Sequence, residues 1–240
     1  MSNIEVLFDE KKCLAINKPG GLLTQAPPGI DSMELRIKRA LRADQVDLSK
    51  KTYVGVPHRL DRPVSGIMLF GKNKGVTRLL SAQFQQRTVQ KVYWAVVEGE
   101  LNEPSGQWTD HMRKLPDAAR SEIVDDTHDQ AQFAELSYDV LGSAEGLSWL
   151  RIRLGTGRTH QIRLQASSRG FPILGDHQYH SDREFGPTTD DLRARWISLH
   201  ARRIEFGVPN TARRADLIAP LSSHWAPLIE LFPEMQQIDF

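Results

Sequence analysis

The chain has 240 residues, of which 40% are hydrophobic and 25% are charged, a composition typical of a globular protein that can bury a core. Its 31 lysines and arginines and 30 acidic residues give a net charge of +1, so no global field marks a nucleic-acid partner. The lone cysteine, Cys13, excludes an intrachain disulfide and a multi-cysteine metal site, and its apolar neighbours predict a core position. No membrane-length apolar run or leader-like N-terminus is present, so we expect a cytoplasmic protein with no membrane association.

The first elements are two short strands over residues 4–8 and 13–17, joined by a polar turn. The loop that follows combines Lys18 with a proline and two glycines, which permit unusual backbone conformations. Lys18 could meet a phosphate there, and the alternative is a solvent-exposed turn lysine. A short amphipathic helix over 32–42 follows, with Asp31 or Ser32 as its cap.

A charged turn at residues 57–64 leads into an apolar run that predicts a buried strand. Asp61 lies in this turn between Arg59 and Arg62. A carboxylate on a rigid turn suits chemistry that needs one fixed geometry. Taken alone, these residues favour the simpler interpretation of an ion-paired surface turn.

A helix and a strand come next. Asn73 is a suitable helix cap, and the spacing of the apolar residues from Val76 to Phe84 predicts one buried face. Residues 90–99 have the β-branched and aromatic composition of a strand, on which Tyr93 and Trp94 point to opposite faces. One of the two aromatic rings is expected in the core.

Residues 100–131 have the least structured composition of the chain. Acids share this stretch with His111 and His128, but without the spacing of metal ligands, so we interpret it as a solvated excursion. Residues 133–141 and 147–154 predict a hairpin.

An arginine-rich turn, residues 155–163, follows this hairpin. Thr159 is the expected cap of a helix that runs through Arg169, with Gly170 at its C-terminal left-handed position. Between residues 147 and 170 there are arginines but no acids, which favours phosphate contact over a solubilising surface; the arginines are 151, 153, 158, 163 and 169.

The last third contains a turn with Asp176, His177 and His180, for which we favour a hydrogen-bonded aspartate and surface histidines over a metal site. A polar loop over 182–191, strands over 196–206 and near 216–219, and a terminal helix from residue 222 or 223 follow. Many strands with few helices, and no linker or repeat, predict a single α+β domain.

Four motifs occur in a fixed order: Asn17-Lys18-Pro19-Gly20-Gly21, His58-Arg59-Leu60-Asp61 with Ser65-Gly66, Lys91-Val92-Tyr93, and residues 156–163, Thr-Gly-Arg-Thr-His-Gln-Ile-Arg. Together they resemble the RluA-type pseudouridine synthases, which isomerise uridine to pseudouridine in rRNA or tRNA. The resemblance implies an α+β catalytic domain over residues 1–240, built on a bent, mainly antiparallel mixed β-sheet flanked by helices. No N-terminal S4-type module is expected, so substrate choice would rest on this domain, including residues 100–131 and 182–193.

The resemblance also implies roles for individual residues. Asp61 matches the catalytic aspartate, Tyr93 the aromatic residue that stacks on the target base and is a candidate for removing the C5 proton, and Arg163 the residue that ion-pairs with the aspartate. Arg59 matches the arginine that enters the RNA stack when the uridine flips out. The further RNA-contacting positions are Lys18, Arg158 and His160, and Lys18 and Arg158 carry over as RNA or structural contacts.

The chemistry of the isomerisation agrees with these roles. The Asp61 carboxylate could attack C1′ or remove the C2′ proton to give a glycal, and for either role an opposite charge such as Arg163 favours its ionised form. The target base must leave the RNA stack at a cost of roughly a few kcal/mol, and a ring such as Tyr93 gives it a platform. The rearrangement involves no redox or group-transfer step, so no cofactor and no metal are expected.

Two other functions remain to be tested. One is an RNA-binding or RNA-folding protein of the same fold without catalysis, which the intact Asp61, Tyr93 and Arg163 argue against. The other is a metal-dependent hydrolase whose ligands would be His58, Asp61, His160, Asp176 and His177. The partner expected here is rRNA or tRNA, no protein partner is evident, and a monomer suffices.

Overall fold

The computed structural model describes residues 4–43 and 51–237. The strands in these residues are β1 (Glu5–Glu10), β2 (Cys13–Lys18), β3 (Ser65–Gly71), β4 (Gln90–Glu98), β5 (Ser105–Lys114), β6 (Ser121–Val124), β7 (Gln132–Ala144), β8 (Leu147–Leu154), β9 (Leu199–Gly207) and β10 (Arg214–Ile218). The α-helices are α1 (Met33–Ala43), α2 (Lys74–Gln85), α3 (Gln161–Ser167) and α4 (Ala226–Leu231). The predicted α+β class with mainly antiparallel pairing is confirmed. Within the described ranges no helix has the length and apolarity needed to cross a membrane, and residues 1–3, part of the predicted leaderless N-terminus, lie outside these ranges.

The chain packs as two compact units. The first comprises Met1–Lys91, Thr189–Ala194 and Ala201–Pro220. The second comprises Val92–Thr188, Arg195–His200 and Leu221–Phe240. The assignment of residues 1–240 to one catalytic domain stays a prediction.

The first unit pairs its strands in the order β1-β2-β3-β9, and β10 pairs with β9. The predicted cap of α2 is confirmed, because the Asn73 side chain accepts a hydrogen bond from the Val76 N–H at 2.8 Å. This helix packs Val76 and Leu80 against the sheet. Cys13 is fully buried in the same core, as predicted, and burial raises the pKa of its thiol to about 12.

The second unit pairs its strands in the order β4-β8-β7-β5-β6. Trp94 and Trp149 pack edge to face in its core, with ring centroids 4.9 Å apart, and the C-terminal segment adds Trp225 and Phe232 to this cluster. Both rings of the Tyr93–Trp94 pair are buried, Trp94 completely and Tyr93 with 8% exposure.

The expectation for residues 100–131 is wrong. This stretch contains β5 and β6, which pair with each other so that Lys114 lies opposite Ser121. β5 also pairs with β7 from Ser105 to Met112. Of the ten residues of β5 only Trp108 and Met112 are buried, and the others are half-buried or exposed. A strand with so few apolar positions carries a weak sequence signal.

The C-terminal helix begins as predicted. A 3-10 turn over Ser223–Trp225 leads into α4, which ends before Pro233. A second 3-10 turn, Pro233–Gln236, follows. The proline cannot continue the hydrogen bonding of an α-helix, which explains why α4 ends before it.

Candidate active site

The turn that carries Asp61 is hydrogen-bonded to the loop after β2. The Thr24 hydroxyl donates to the Leu60 carbonyl at 2.8 Å and accepts from the Leu60 N–H at 3.3 Å. Downstream, Gly66 has φ +114°, and a Cβ there would lie 2.4 Å from the Ala201 carbonyl oxygen. Only glycine fits this close backbone approach. Half-buried Asp61 thus lies on a fixed turn at the start of β3.

Lys18 lies inside this arrangement rather than on its surface. It is fully buried, and its ammonium group donates to the carbonyls of Pro19 (2.8 Å), Leu22 (2.8 Å) and Arg62 (3.3 Å). These bonds use all three ammonium donors. Burial lowers the pKa of Lys18 to about 7, and the nearby Asp61 carboxylate opposes this shift.

The RNA contact expected of Lys18 is therefore corrected. A buried ammonium whose donors are all engaged by the main chain offers nothing to a phosphate. Its structural alternative holds. Lys18 ties the loop after β2 to the backbone of Arg62, next to Asp61.

His58 is a structural residue of the same turn. Its Nε2 accepts the Leu69 N–H at 2.9 Å, and its ring stacks on Phe84 at 4.2 Å. Desolvation, helped by the positive charge of Lys91, lowers the pKa of His58 to about 3. The imidazole is therefore neutral at physiological pH, and the atom that accepts the Leu69 N–H cannot also bind a metal.

The two arginines beside Asp61 differ. Arg59 is exposed, and its insertion into RNA stays a prediction. Arg62 donates through Nε to the Gly21 carbonyl at 2.9 Å and pairs with Asp191 at 2.9 Å. It helps to hold the turn.

In the second unit, α3 carries Arg163 and is shorter than predicted. The residue before it is His160, in the left-handed conformation with φ 56°, and no side chain caps the helix. The predicted Thr159 cap is wrong. Gly170 does have the expected positive φ of +82°, but it lies beyond the last helical residue, Ser167.

Buried polar side chains hold the turn and the helix together. The Thr156 hydroxyl contacts Gln161 Oε1 at 2.7 Å, and Gln161 donates to Gln165 at 3.1 Å. Gln165, which is fully buried, donates to Asp110 at 2.7 Å. These hydrogen bonds connect the turn, α3 and β5, and they give the buried polar side chains the partners they need.

Arg163 is buried and makes a two-pronged ion pair. Its Nε donates to Asp176 Oδ2 at 2.6 Å, and its Nη2 donates to Asp176 Oδ1 and Gln178 Oε1, both at 2.8 Å. The guanidinium lies over the Tyr179 ring, 4.9 Å from its centroid. The Tyr179 hydroxyl contacts Nδ1 of His160 at 2.9 Å.

The proposed phosphate-binding arginine cluster is not a single patch. Arg151 and Arg153 both pair with Asp139, and Arg169 pairs with Asp110. With Arg163 paired to Asp176, four of the five arginines have a carboxylate partner from outside the 147–170 stretch. Because Arg151 and Arg153 share Asp139, three carboxylates face these four arginines, and the local excess of positive charge is reduced. The fifth, Arg158, is half-buried and donates to the Phe133 carbonyl at 2.9 Å.

The structure thus brings Lys18 close to Asp61 in the first unit and links Arg163 with His160 through Tyr179 in the second. The convergence of Asp61 with Tyr93 and Arg163 stays a prediction. Sequence reasoning missed Asp176 and Tyr179 as partners of Arg163. The local sequence contains no signal for this pair, because Asp176 lies on a separate turn after α3.

A family model described as "RNA pseudouridylate synthase" matches residues 12–168. The chain belongs to this family. The predicted family resemblance is confirmed, and the matched range includes Asp61, Tyr93 and Arg163.

Two relatives come from Pasteurella multocida (strain Pm70). A protein named "Ribosomal large subunit pseudouridine synthase C" is 30% identical over 240 residues, which are 98% of this chain and 66% of that protein. A protein named "tRNA pseudouridine synthase C" is 31% identical over 239 residues, covering 95% of this chain and 96% of the relative. The chain therefore spans about two thirds of the first relative's length and nearly all of the second.

Solved structures support the fold. "Human RNA Pseudouridylate Synthase Domain Containing 4" superposes with a TM-score of 0.74 at 21% identity and covers 94% of this chain and 92% of that chain. "Human RNA Pseudouridylate Synthase Domain Containing 1" gives a TM-score of 0.68 at 20% identity, covering 91% and 84%. The fold of this family member is thus a pseudouridylate synthase fold.

The metal-hydrolase alternative is not favoured. Among residues 4–43 and 51–237 no group of three or more His, Cys, Asp or Glu side chains is arranged to hold a metal ion. Two of its expected ligands have other partners, since His58 accepts from Leu69 and Asp176 pairs with Arg163.

Proposed function

We propose that this protein isomerises uridine to pseudouridine in structured RNA, with Asp61 as the catalytic carboxylate. The observation that carries the proposal is the placement of Asp61. It lies within the matched family region, on a turn held by Thr24 and by the buried Lys18 at the start of a strand. A reactive group needs such a rigid support to keep one geometry through several bond changes.

The reaction breaks the C1′–N1 glycosidic bond, turns the base and forms a C1′–C5 bond. The C5 proton leaves and N1 takes up a proton, so substrate and product have the same composition and the chemistry needs no redox partner. Asp61 serves either as a nucleophile at C1′ or as the base that removes the C2′ proton. Tyr93 supplies a platform for the flipped base, and Arg163 supplies positive charge.

RNA entry involves Arg59, with Arg158 and His160 as further contacts. Arg59 is exposed on the turn next to Asp61, where a cation can stack with bases and contact phosphate. Arg158 and His160 are half-buried at the turn before α3. The RNA is ribosomal or transfer RNA, in line with the names of the two relatives. We further propose that the protein acts in the cytoplasm as a monomer.

The test is tritium release from C5-labelled uridine in rRNA and tRNA transcripts. We expect release with at least one of the two, and a loss of at least about 1,000-fold in the variant Asp61→Asn. Asp139→Asn is the matched control, because Asp139 pairs with two arginines but has no role in the proposed chemistry. Undiminished release by Asp61→Asn would remove Asp61 from its role, and RNA binding without release by the wild type would favour the non-catalytic alternative.

A further inference from the structure

The proposed chemistry uses Arg163 but leaves its surroundings unexplained. The Arg163 side chain is 4% exposed and that of Asp176 is 1% exposed, so the pair is almost completely removed from water. Burying two charges is costly unless their geometry is excellent and their remaining hydrogen-bonding groups are satisfied. Here the carboxylate accepts from both Nε and Nη2, and Gln178 accepts from Nη2 as well. These bonds fix the plane of the guanidinium.

Asp176 is itself aimed by the backbone. The preceding residue, Gly175, has φ +89°, and a Cβ there would lie 2.7 Å from the Trp196 carbonyl oxygen. The Asp176 carbonyl accepts the N–H groups of Tyr179 (2.8 Å) and Ser181 (3.1 Å), which closes a 3-10 turn over His177–Tyr179. This tight, hydrogen-bonded turn therefore fixes the direction in which the Asp176 carboxylate points.

Tyr179 supports the guanidinium from one face. Tyr179 is 1% exposed. Two guanidinium groups lie over its ring, with Cζ of Arg163 4.9 Å and Cζ of Arg120 5.3 Å from the ring centroid. The hydroxyl accepts the Ser121 N–H at 2.9 Å, and the Ser121 hydroxyl donates to the Thr159 carbonyl at 2.9 Å. Tyr179 thus connects Arg163 to β6 and to the turn before α3.

We propose that Asp176 and Tyr179 are positioning residues for Arg163, and that the β5–β6 hairpin anchors Tyr179. This inference rests on the proposed function. Asp176 sets the plane of the guanidinium, Tyr179 supports it, and Ser121 fixes Tyr179 from the hairpin. The hairpin is in this way part of the scaffold of the active site.

Single-turnover rates at saturating RNA test the proposal, since a defect in positioning lowers the rate at fixed RNA affinity. We expect Asp176→Asn to lower the rate about 100-fold, the loss typical of a catalytic group displaced by about 1 Å. Tyr179→Phe keeps the ring but loses the hydroxyl anchor, and we expect a loss of about 10-fold. RNA affinity and thermal unfolding of each variant are measured in parallel.

A double-mutant cycle separates positioning from a merely structural role. If Asp176 acts through Arg163, then Asp176→Asn costs less than about threefold in an Arg163→Lys background, because the interaction is already lost. Asp139→Asn, which removes a carboxylate paired with arginines of β8, is the matched control and should leave the rate unchanged in both backgrounds.

The outcomes distinguish this inference from the function on which it rests. A wild-type protein that releases no tritium from either RNA overturns both. An active wild type with Asp176→Asn within threefold of its rate, or with fully additive losses in the cycle, overturns the positioning role alone. Should Asp176→Asn fail to fold, Tyr179→Phe decides, and a wild-type rate in that variant overturns the inference.

Discussion

The turn that carries Asp61 and the helix that carries Arg163 both depend on a buried basic side chain, but the hydrogen bonds of the two side chains are satisfied differently. Lys18 beneath the turn donates to three main-chain carbonyls. Arg163 on α3 is held by side chains, those of Asp176 and Gln178. Carbonyls are present whatever the sequence, so the first support fails only if the lysine changes. The second is distributed over several residues, and each can be removed separately.

The sharpest test of this difference is Lys18→Met. Methionine has a similar length but no donor, so the carbonyls of Pro19, Leu22 and Arg62 lose their shared partner. We expect a loss of about 3 kcal/mol in the free energy of unfolding, the order of several buried acceptors left unsatisfied. Urea denaturation followed by circular dichroism measures it.

Lys38→Met is the matched control for this change. Lys38 lies on α1, and its side chain is 40% exposed and pairs with Glu34 one turn away. Such a pair contributes roughly 0.3–0.5 kcal/mol. Equal losses in the two variants would show that the main-chain support of Lys18 adds nothing special.

The same contrast explains what the sequence could predict. The Asn73 cap, the β7–β8 hairpin and the interruption of the last helix near Pro233 were predictable, because each depends on residues close together in the chain. The partners of the arginines were not. Asp139, Asp110 and Asp176 lie on other elements, so a local count of charge suggested a basic patch where the fold makes ion pairs.

The sequence could not predict the role of Lys18 for a related reason. Its acceptors are backbone carbonyls, which have no sequence signature, and a lysine in a glycine-rich loop is usually exposed. The sequence did not predict the β5–β6 hairpin, because its strands bury few apolar residues. The family motifs include Lys18, and its membership of the active site stays a prediction.

In the distributed support of the second unit, each single loss should be smaller. Gln165→Leu keeps the size of the side chain but removes the donor to Asp110 and the acceptor of Gln161. Asp110 retains Arg169, so we expect about 2 kcal/mol of destabilisation, measured by urea denaturation. Gln107→Leu, at an exposed position of β5, is the control and should stay within about 0.5 kcal/mol of wild type. A loss as large as that of Lys18→Met would mean that this network is not distributed.

The smallest effect expected is a pH dependence confined to the first unit. The pKa of His58 is about 3 in the folded protein and near 6.5 when the chain is unfolded, so the unfolded state binds the additional proton in this range. The contribution of His58 is complete above pH 6.5 and is lost as the pH falls towards 3. Between pH 6.5 and 5.5 this one residue should cost about 1 kcal/mol of unfolding free energy. His58→Gln retains an acceptor for the Leu69 N–H but does not titrate, so its stability curve should be flatter by that amount, and parallel curves for the two proteins would show that His58 becomes charged in the folded state.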